Sequence, residues 1–422
     1  TGLPPTHCGI GHVRYSTTGS SCVENAGPFV VGDRHGELET IALAHNGNLA
    51  NAAVLQALIP EGLLESTTDS EVMAHLLLHA EGRTLRERII ATFPILRGAY
   101  SLVILNGGKL YAMRDPWGMR PLCIGRLGQA WIVASESCAL DRTGAEFLRK
   151  VEPGELITID EEGMHAEQLV RLPRHALCVF EYIYFSDATS RINGRYTYTV
   201  REALGRELAR EHPVDADLVV PVPDSSIPAA LGYSAESGVA YSQAIIKNRY
   251  SDRSFIKPDQ RLRQLEVDLK FNLVQPKIEG ARLIIVDDSI VRGNTMKRLV
   301  SALRNRRVKE IHLRISSPPL RHPCYFGIDI PKEKELIAAG RDTQQIADYI
   351  GVDSLGYLSL AGLSRAINTA DAGAETLDEQ TAIKLLHSEF CYGCMQTGGW
   401  PFDPQANAQP GSLLPRDTVV RR

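Results

Sequence analysis

A chain of 422 residues is long enough for two or three domains, and 44% hydrophobic with 23% charged residues is an ordinary globular balance. The formal net charge of −4 provides no global positive field, which excludes a chain drawn as a whole to nucleic acid or to a membrane surface. An anionic ligand must therefore be held by a local site. No apolar run approaches the roughly 18 residues a membrane span needs, and Thr1-Gly-Leu-Pro-Pro5 lacks the charged and apolar regions of a signal peptide, so the expected compartment is cytoplasmic.

Residues 1 to about 170 read as short strands separated by turn signals. Asp69 to Ala80 carries helical apolar spacing behind Thr67-Thr68, a ready cap, and predicts a helix. Gly98-Ala-Tyr-Ser-Leu-Val-Ile-Leu105, the turn Asn106-Gly-Gly108 and Lys109-Leu-Tyr-Ala-Met113 predict a hairpin. Trp131-Ile-Val-Ala134 and Glu155-Leu-Ile-Thr-Ile159 predict further strands. Residues 1–170 are thus expected to form a β-rich α+β domain. From about 175 the grammar changes. The apolar runs Asp217-Leu-Val-Val-Pro-Val222 and Leu283-Ile-Ile-Val286 each lead into a loop and a helix-like segment, the βα pattern of a parallel sheet. This second domain is placed at 171–365. Residues 247–276, rich in Arg, Lys and polar side chains, predict a mobile excursion. Residues 366–422 predict a helix or two and a tail that is disordered after Pro401.

The strongest local signal is Arg282-Leu-Ile-Ile-Val-Asp-Asp-Ser-Ile-Val-Arg-Gly-Asn-Thr295. A buried strand ends in two acids, a short loop holds Gly293, and a helix begins near Thr295. Amides at a helix start surround a phosphate well, and the helix dipole favours its charge. Gly293 lets the main chain come close, and Thr295 adds a hydroxyl donor. Asp287 and Asp288, at the carboxyl end of the strand, are placed to hold ribose hydroxyls and a Mg²⁺ bridging to pyrophosphate. An ordinary loop whose acids cap a helix is the alternative, and it would be preferred for a lone Asp-Asp pair. Val220-Pro-Val-Pro-Asp-Ser-Ser-Ile-Pro-Ala-Ala230 repeats the order of strand, polar loop and helix.

The eight cysteines are better read as thiols or ligands than as disulfides. Only Cys391-Tyr-Gly-Cys394 is a close pair, and its spacing fits half a zinc site or half an iron–sulfur site equally. Cys8, Cys22, Cys123 and Cys138 are expected to be core thiols.

Val286-Asp-Asp-Ser-Ile-Val-Arg-Gly293 resembles the phosphoribosylpyrophosphate (PRPP) signature of type I phosphoribosyltransferases, with Asn294 where that family more often has Thr. The resemblance implies an α/β domain with a parallel sheet. It implies PRPP contacts at Asp287, Asp288, Ser289, Arg292, Gly293, Asn294 and Thr295, and a pyrophosphate loop at Asp224, Ser225 and Ser226. Mg²⁺ would be held by Ser225, Asp287 and Asp288. Lys247-Asn-Arg-Tyr-Ser-Asp-Arg-Ser-Phe-Ile256, continuing to Lys270, is similar to the same family's flexible loop. Lys247, Arg253 and Lys270 would then belong to a basic lid that keeps water from the reacting sugar carbon.

His12-Val-Arg-Tyr-Ser-Thr-Thr-Gly19, His45-Asn-Gly-Asn48 and Thr68-Asp-Ser-Glu71 together resemble glutamine amidotransferases with an N-terminal cysteine nucleophile, the Ntn type. Arg14 would clamp the glutamine α-carboxylate, a bidentate task suited to guanidinium, and Asp69 would pair with the α-amino group. Asn46 and Gly47 would supply the oxyanion hole. Arg114-Asp-Pro-Trp-Gly-Met-Arg-Pro-Leu122 and Ala134-Ser-Glu-Ser137 match that family too, as structural and substrate-wall elements. In such enzymes the nucleophile is the first residue, here Thr1, so the expectation is a truncated glutaminase domain without its nucleophile segment. Cys8 lies too close to Arg14, inside the expected Arg-bearing strand, to be that nucleophile.

Taken together, nearly all of residues 8–400 resembles the glutamine PRPP amidotransferases, or amidophosphoribosyltransferases. The implied reaction is transfer of ammonia, from glutamine in the intact family, to PRPP. It yields 5-phosphoribosylamine and pyrophosphate, the first step of de novo purine synthesis. As given, the chain is expected to use free ammonia only or to be inactive with glutamine. Cys178, Cys324, Cys391 and Cys394 match the ligand positions of the cluster-bearing branch, which implies a structural [4Fe–4S] centre, with zinc the minor alternative. The implied partners are PRPP, glutamine or ammonia, purine nucleotides as feedback ligands, and further copies of the chain, a tetramer by family resemblance. A non-catalytic PRPP- or nucleotide-binding regulator of the same fold is the alternative. A salvage phosphoribosyltransferase is another, but it has no need of Arg14, Asn46 and Asp69.

Overall fold

Short strands joined by tight turns give the N-terminal half its antiparallel sheets. The computed structural model describes residues 7–14, 22–32, 40–248, 271–330, 332–370 and 377–405. Among the described residues nine strands lie in this half: β1 (Phe29–Val31), β2 (Ile41–Leu49), β3 (Gly98–Asn106), β4 (Lys109–Arg114), β5 (Cys123–Leu127), β6 (Ala130–Ala134), β7 (Glu146–Lys150), β8 (Glu155–Asp160) and β9 (Gly163–Gln168). They form one sheet in the order β1-β2-β3-β4-β8-β9 and a smaller one in the order β6-β5-β7. The predicted hairpin is β3–β4. Asn106 faces Lys109 across Gly107-Gly108, whose φ values of 54° and 81° suit the turn that matches strand twist.

Three helices, α1 (Ala52–Gln56), α2 (Asp69–His79) and α3 (Leu85–Thr92), accompany the larger sheet. The start of α2 is fixed locally. The Thr68 hydroxyl accepts the Glu71 amide, and the Glu71 carboxylate turns back to accept the amides of Glu65 and Ser66. Leu43, Met73, Leu77, Ile89, Tyr100, Leu102 and Ile104 make the core between sheet and helices. A fourth helix, α4 (Ser137–Thr143), packs through Leu140 against the smaller sheet.

The remaining strands are β10 (Leu177–Cys178), β11 (Arg191–Ile192), β12 (Arg195–Tyr196), β13 (Leu218–Pro221), β14 (Ile245–Lys247), β15 (Phe271–Leu273), β16 (Arg282–Asp287), β17 (Glu310–Ile315), β18 (Ser354–Tyr357) and β19 (Phe390–Cys391). The second half is built on the fully parallel sheet β13-β16-β17-β18. The helices there are α5 (Thr197–Glu211), α6 (Ile227–Ser237), α7 (Gln275–Ile278), α8 (Asn294–Asn305), α9 (Thr343–Ile350), α10 (Leu360–Asn368) and α11 (Glu379–Glu389). Helices on both faces explain why β16 is apolar at four consecutive positions, Leu283 to Val286, rather than at alternate ones. Ile284 and Val286 enter one core with Leu204 and Tyr233, while Leu283 and Ile285 enter the other with Leu299 and Ile346. Each such fully buried aliphatic side chain contributes about 1.5–3 kcal/mol.

Several sequence expectations are corrected. The excursion expected over 247–276 does not hold at its two ends, where β14 and β15 pair antiparallel and α7 follows, and residues 249–270 of that expectation lie outside the described residues. The expected disordered tail does not begin at Pro401: Phe402 packs on Trp117 and Phe326, at ring distances of 4.7 and 5.1 Å. Cys22 is exposed rather than a core thiol, and Cys8 is half-buried. Residues 7–14 contain no strand, so the expected Arg-bearing strand is an irregular segment there. No described helix is long and apolar enough to cross a membrane.

Helices α5 and α6 touch backbone to backbone where two glycines face the opposing chain. A Cβ on Gly205 would stand 1.8 Å from the Ala229 carbonyl oxygen, and one on Gly232 would stand 1.9 Å from that of Glu202. Gly205→Ala is therefore expected to force the helices apart at a cost of about 1–3 kcal/mol or more. Scanning calorimetry should show a lowered melting transition, and an unchanged midpoint would contradict this packing.

Candidate functional site

The two acidic-loop signals in the sequence end side by side. β13 and β16 are parallel neighbours, with Pro221 opposite Val286, so the loop entering α6 and the loop entering α8 emerge together at the carboxyl edge of the sheet. Such an edge is where open α/β sheets bind ligands. The residue preceding α8 is Gly293, at φ +78°, which has no side chain with which to cap the helix. A Cβ there would approach Ile337 Cδ1 to 2.6 Å, a side-chain tip that can move aside, so it is the left-handed conformation that calls for glycine. Ser226 precedes α6, but its hydroxyl turns back to the Val222 carbonyl and donates there. Among the described residues no side chain caps either helix start, although the Ile227 amide meets the Asp224 carbonyl, and such amides favour an anion.

Asp288 lies buried between these loops. Its Oδ2 accepts the Ser225 hydroxyl at 2.5 Å, and its Oδ1 accepts the Ser289 hydroxyl at 2.6 Å. Burial pushes its pKa up, opposed by those two hydroxyls and by the charge of Arg201. Asp287 Oδ1 accepts the Asp288 amide at 2.9 Å, and the Asp287 carbonyl takes the Ser316 amide. The start of α8 carries no side-chain cap hydrogen bond, so neither acid caps that helix.

Other predicted residues fall around this edge with different partners. The Lys247 ammonium is 3.6 Å from the exposed Asp224 carboxylate, so the two named loops meet. Arg292 forms an exposed ion pair with Glu335 at 2.9 Å. Asn294 Oδ1 accepts the Tyr349 hydroxyl at 3.3 Å, and Thr295 is exposed on the first turn of α8. Arg253 and Lys270 lie outside the described residues. Sequence reasoning missed Arg201, which is buried and donates to the carbonyls of Tyr182 and Ser186. Nothing in its helical sequence context distinguishes it from a surface arginine.

A second constellation forms where α2 starts beside the end of β2. Arg14, Gly47 and Asp69 line one small cleft with His12, His45 and Ser70. Asn46 stands half-buried next to Gly47 on β2. One Asp69 oxygen accepts the Leu49 amide at 2.8 Å, which pins the carboxylate at the cleft wall. Gly47 has φ +146°, and a Cβ there would fall 2.0 Å from the Ala99 carbonyl oxygen. His45, given no role from the sequence, lies beneath Gly47, with Nδ1 3.1 Å from the Ser70 hydroxyl and Nε2 3.3 Å from the Ala99 carbonyl. Desolvation holds its pKa below the usual imidazole value, partly opposed by Asp69, so the neutral ring is favoured. Its position directly before Asn46 was the available signal.

The four flagged cysteines converge from three distant segments. Cys178 and Cys391 sit opposite each other in the parallel pair β10–β19, which ties the C-terminal segment to residues 177–178. Burial raises the Cys178 and Cys394 thiols well above their ordinary value and Cys391 to about 12. The Cys394 thiol is raised further by charges on Cys324, Cys178 and Cys391, and Arg120 acts in the opposite sense on Cys178 and Cys391. Among the described residues, however, no group of three or more His, Cys, Asp or Glu side chains closes to metal-binding geometry.

Comparison with known proteins bears on both constellations. Residues 24–142 match the glutamine amidotransferase domain family, and residues 199–317 match the phosphoribosyl transferase domain family. An amidophosphoribosyltransferase of Mycobacterium tuberculosis is 47% identical over 427 aligned positions, covering 98% of this chain and 75% of the relative. One from Methanocaldococcus jannaschii is 47% identical over 384, covering 86% and 81%. Among solved structures, glutamine PRPP amidotransferase from B. subtilis, complexed with ADP and GMP, superposes with a TM-score of 0.83 at 40% identity, over 95% of this chain and 84% of that one. A structure described as the allosteric regulatory enzyme of purine biosynthesis gives 0.82 at 41% identity, over 95% and 83%.

If the α8 amides form an anion cradle, distorting Gly293 should loosen it. Gly293→Ala is expected to weaken binding of Mg²⁺-pyrophosphate at least about tenfold, the equivalent of about 1.4 kcal/mol of strain. Titration calorimetry measures this, with circular dichroism confirming an intact fold. Unchanged affinity in a folded variant would count against the cradle.

Proposed function

The chain belongs to the amidophosphoribosyltransferase family, and from that premise we propose how its residues carry the reaction. Ammonia displaces pyrophosphate from PRPP to give 5-phosphoribosylamine, the first step of de novo purine synthesis. The observation that supports the assignment most is the pair of neighbouring strand ends, each followed by a helix start without a side-chain cap, with buried Asp288 held between them.

In this reading the pyrophosphate rests on the amides at the starts of α6 and α8, with Ser225 and Thr295 adding hydroxyl donors. Asp287 and Asp288 hold the ribose hydroxyls, and Arg292 and Asn294 lie at the rim of the same loop. A Mg²⁺ held by Ser225, Asp287 and Asp288 would neutralise charge on the departing pyrophosphate. The fit of those donors is supported by their convergence: Ser225 already meets Asp288, and Asp287 is its neighbour in the chain. Catalysis is then positioning plus charge stabilisation while the ribosyl carbon gains oxocarbenium character. Lys247, beside Asp224, would belong with Arg253 and Lys270, which lie outside the described residues, to a basic lid that excludes water. Glutamine is held in the second cleft, its carboxylate on Arg14 and its amino group on Asp69, with Asn46 and Gly47 facing the developing oxyanion.

The cysteine group is assigned to a [4Fe–4S] centre held by Cys178, Cys324, Cys391 and Cys394, with zinc the alternative. Four thiols whose segments pack together, Cys178 and Cys391 paired across β10–β19 and Cys324 against the core that holds Cys394, are a donor set suited to a thiolate cluster. Such a centre would serve as a structural tie between β10 and the C-terminal segment. Purine nucleotides are proposed as ligands because the B. subtilis relative is complexed with ADP and GMP. Assembly as a homo-oligomer is proposed from family membership alone.

Pyrophosphate release from PRPP with Mg²⁺ and ammonium tests the reaction. Asp288→Asn should lower it by about 100-fold or more, because a fixed charge in the site is lost. Tight PRPP binding by the unsubstituted chain with no release would make it a binding protein instead. Protein purified without oxygen should be brown, with iron and sulfide near four per chain. A colourless, zinc-loaded sample would remove the cluster.

A further inference from the structure

A cavity of about 400 Å³ lies on the seam between the smaller sheet, β6-β5-β7, and the β11–β12 hairpin, and none of its wall residues lines the glutamine cleft. Polar contacts hold the seam together. Glu136 Oε2 accepts the Asp187 amide at 2.8 Å and the Ser190 hydroxyl at 2.7 Å, and the Ser137 hydroxyl accepts the Arg191 amide at 2.7 Å. Pro121, Leu122, Phe147 and Ile192 give the cavity apolar wall. A water takes about 30 Å³ of liquid volume, so a bare ion would leave most of this space to solvent. Concave sites at such seams, largely apolar with a few fixed polar groups, are where small molecules bind.

One buried cation of the wall has no counterion. Arg114 is 4% exposed, and its guanidinium donates to the carbonyls of Arg120, Val151 and Gly118 at 2.8, 2.6 and 2.7 Å. A guanidinium has five N–H donors, so one on each Nη remains without an acceptor among the described residues. No carboxylate of those residues pairs with it. Its sequence neighbour Asp115 spends its oxygens on the amides of Tyr100, Trp117 and Met119. Burial pulls the Arg114 pKa down by more than the charges of Asp115, Glu152 and Glu181 raise it. Holding such a cation out of water without an anion is costly. On the hairpin side Arg191 makes no ion pair with the described residues either, and rests on the Tyr196 ring at 5.3 Å. The remaining two cations are spent, Arg149 on Glu155 at 2.8 Å and Lys150 on Glu152 at 3.2 Å. Glu136 offsets one of the two unpaired guanidiniums, which leaves the wall with one positive charge in surplus.

We propose that this cavity binds a small monocarboxylate with an apolar body, its carboxylate shared between Arg114 and Arg191. The two spare donors of Arg114 suit the two oxygens of one planar carboxylate. The apolar wall takes the body of the molecule. A single surplus charge matches a monoanion, whereas a phosphate dianion would exceed it and face Glu136 and Glu152 as well. Because Arg114 ends β4 and Arg191 begins β11, the ligand would also fasten the seam between the two halves. The site is independent of the reaction assigned above.

Benzoate is the probe, a planar carboxylate on an apolar ring. Titration calorimetry on the full chain, with L-glutamate and Mg²⁺-pyrophosphate present to fill the other clefts, is expected to show one benzoate per chain. Arg191→Gln should weaken its binding by about fivefold or more, through loss of a charged hydrogen bond. Arg114→Lys should weaken it by about tenfold or more, because an ammonium cannot make the forked contact. Arg126→Gln, on the same sheet but outside the cavity, should leave the Kd within about twofold. Arg191 is exposed, so its variant tests the site even if Arg114→Lys does not fold. A crystal soaked with para-bromobenzoate should show bromine in the cavity, with the carboxylate on Arg114. Absence of benzoate binding, bromine only elsewhere, or an unchanged Kd in Arg191→Gln would each overturn the proposal. Inorganic phosphate binding there more tightly than benzoate, and weakened by Arg191→Gln, would overturn the carboxylate class in favour of a phosphate.

Discussion

The structure depends on two adjacent parallel strands ending in helices whose first amides no side chain caps. Backbone N–H groups at a helix start need an acceptor, and here the protein supplies none from Gly293 and diverts the one on Ser226 to its own turn. The unmet donors and the helix dipoles favour an anion at one edge of the sheet. A buried carboxylate in that place would repel the same anion. Two serine hydroxyls and Arg201 restrain Asp288, and a divalent cation shared with the ligand would complete the balance.

The same constraint orders the rest of the chain. α5 and α6 must pack backbone to backbone for β13 to carry its loop beside that of β16, which is why Gly205 and Gly232 are glycines. β10, Arg201 and the π-helical turn Glu181–Phe185 then bring the glutaminase half, through Arg120 and Gly327, into direct contact with the transferase half.

Much of this was legible in the sequence, for identifiable reasons. The β3–β4 hairpin announced itself because a Gly-Gly turn between alternating strands has few other conformations. The strand, acids and glycine of 282–295 were readable because each has a local physical role. The four cysteines were grouped by a pattern rather than by their spacing, and the structure packs their segments together without closing three of them, among the described residues, to metal-binding geometry. What the sequence hid is non-local. Arg120 sits inside a recognised motif, yet its partner Glu181 is 61 residues away and gave no sign of being buried. Residues 271–276 read as the end of a mobile excursion because Arg, Lys and polar side chains precede them, whereas β15 pairs back to β14. Cys22 read as core because cysteine usually is buried, and exposure depends on neighbours a single segment cannot show.

A crystal structure of the chain with PRPP and Mg²⁺ bears most directly on the central claim. The account places the diphosphate against the amides that open α6 and α8, with ribose hydroxyls on Asp287 and Asp288. Density for the ligand elsewhere, with those amides satisfied by protein or solvent, would contradict it.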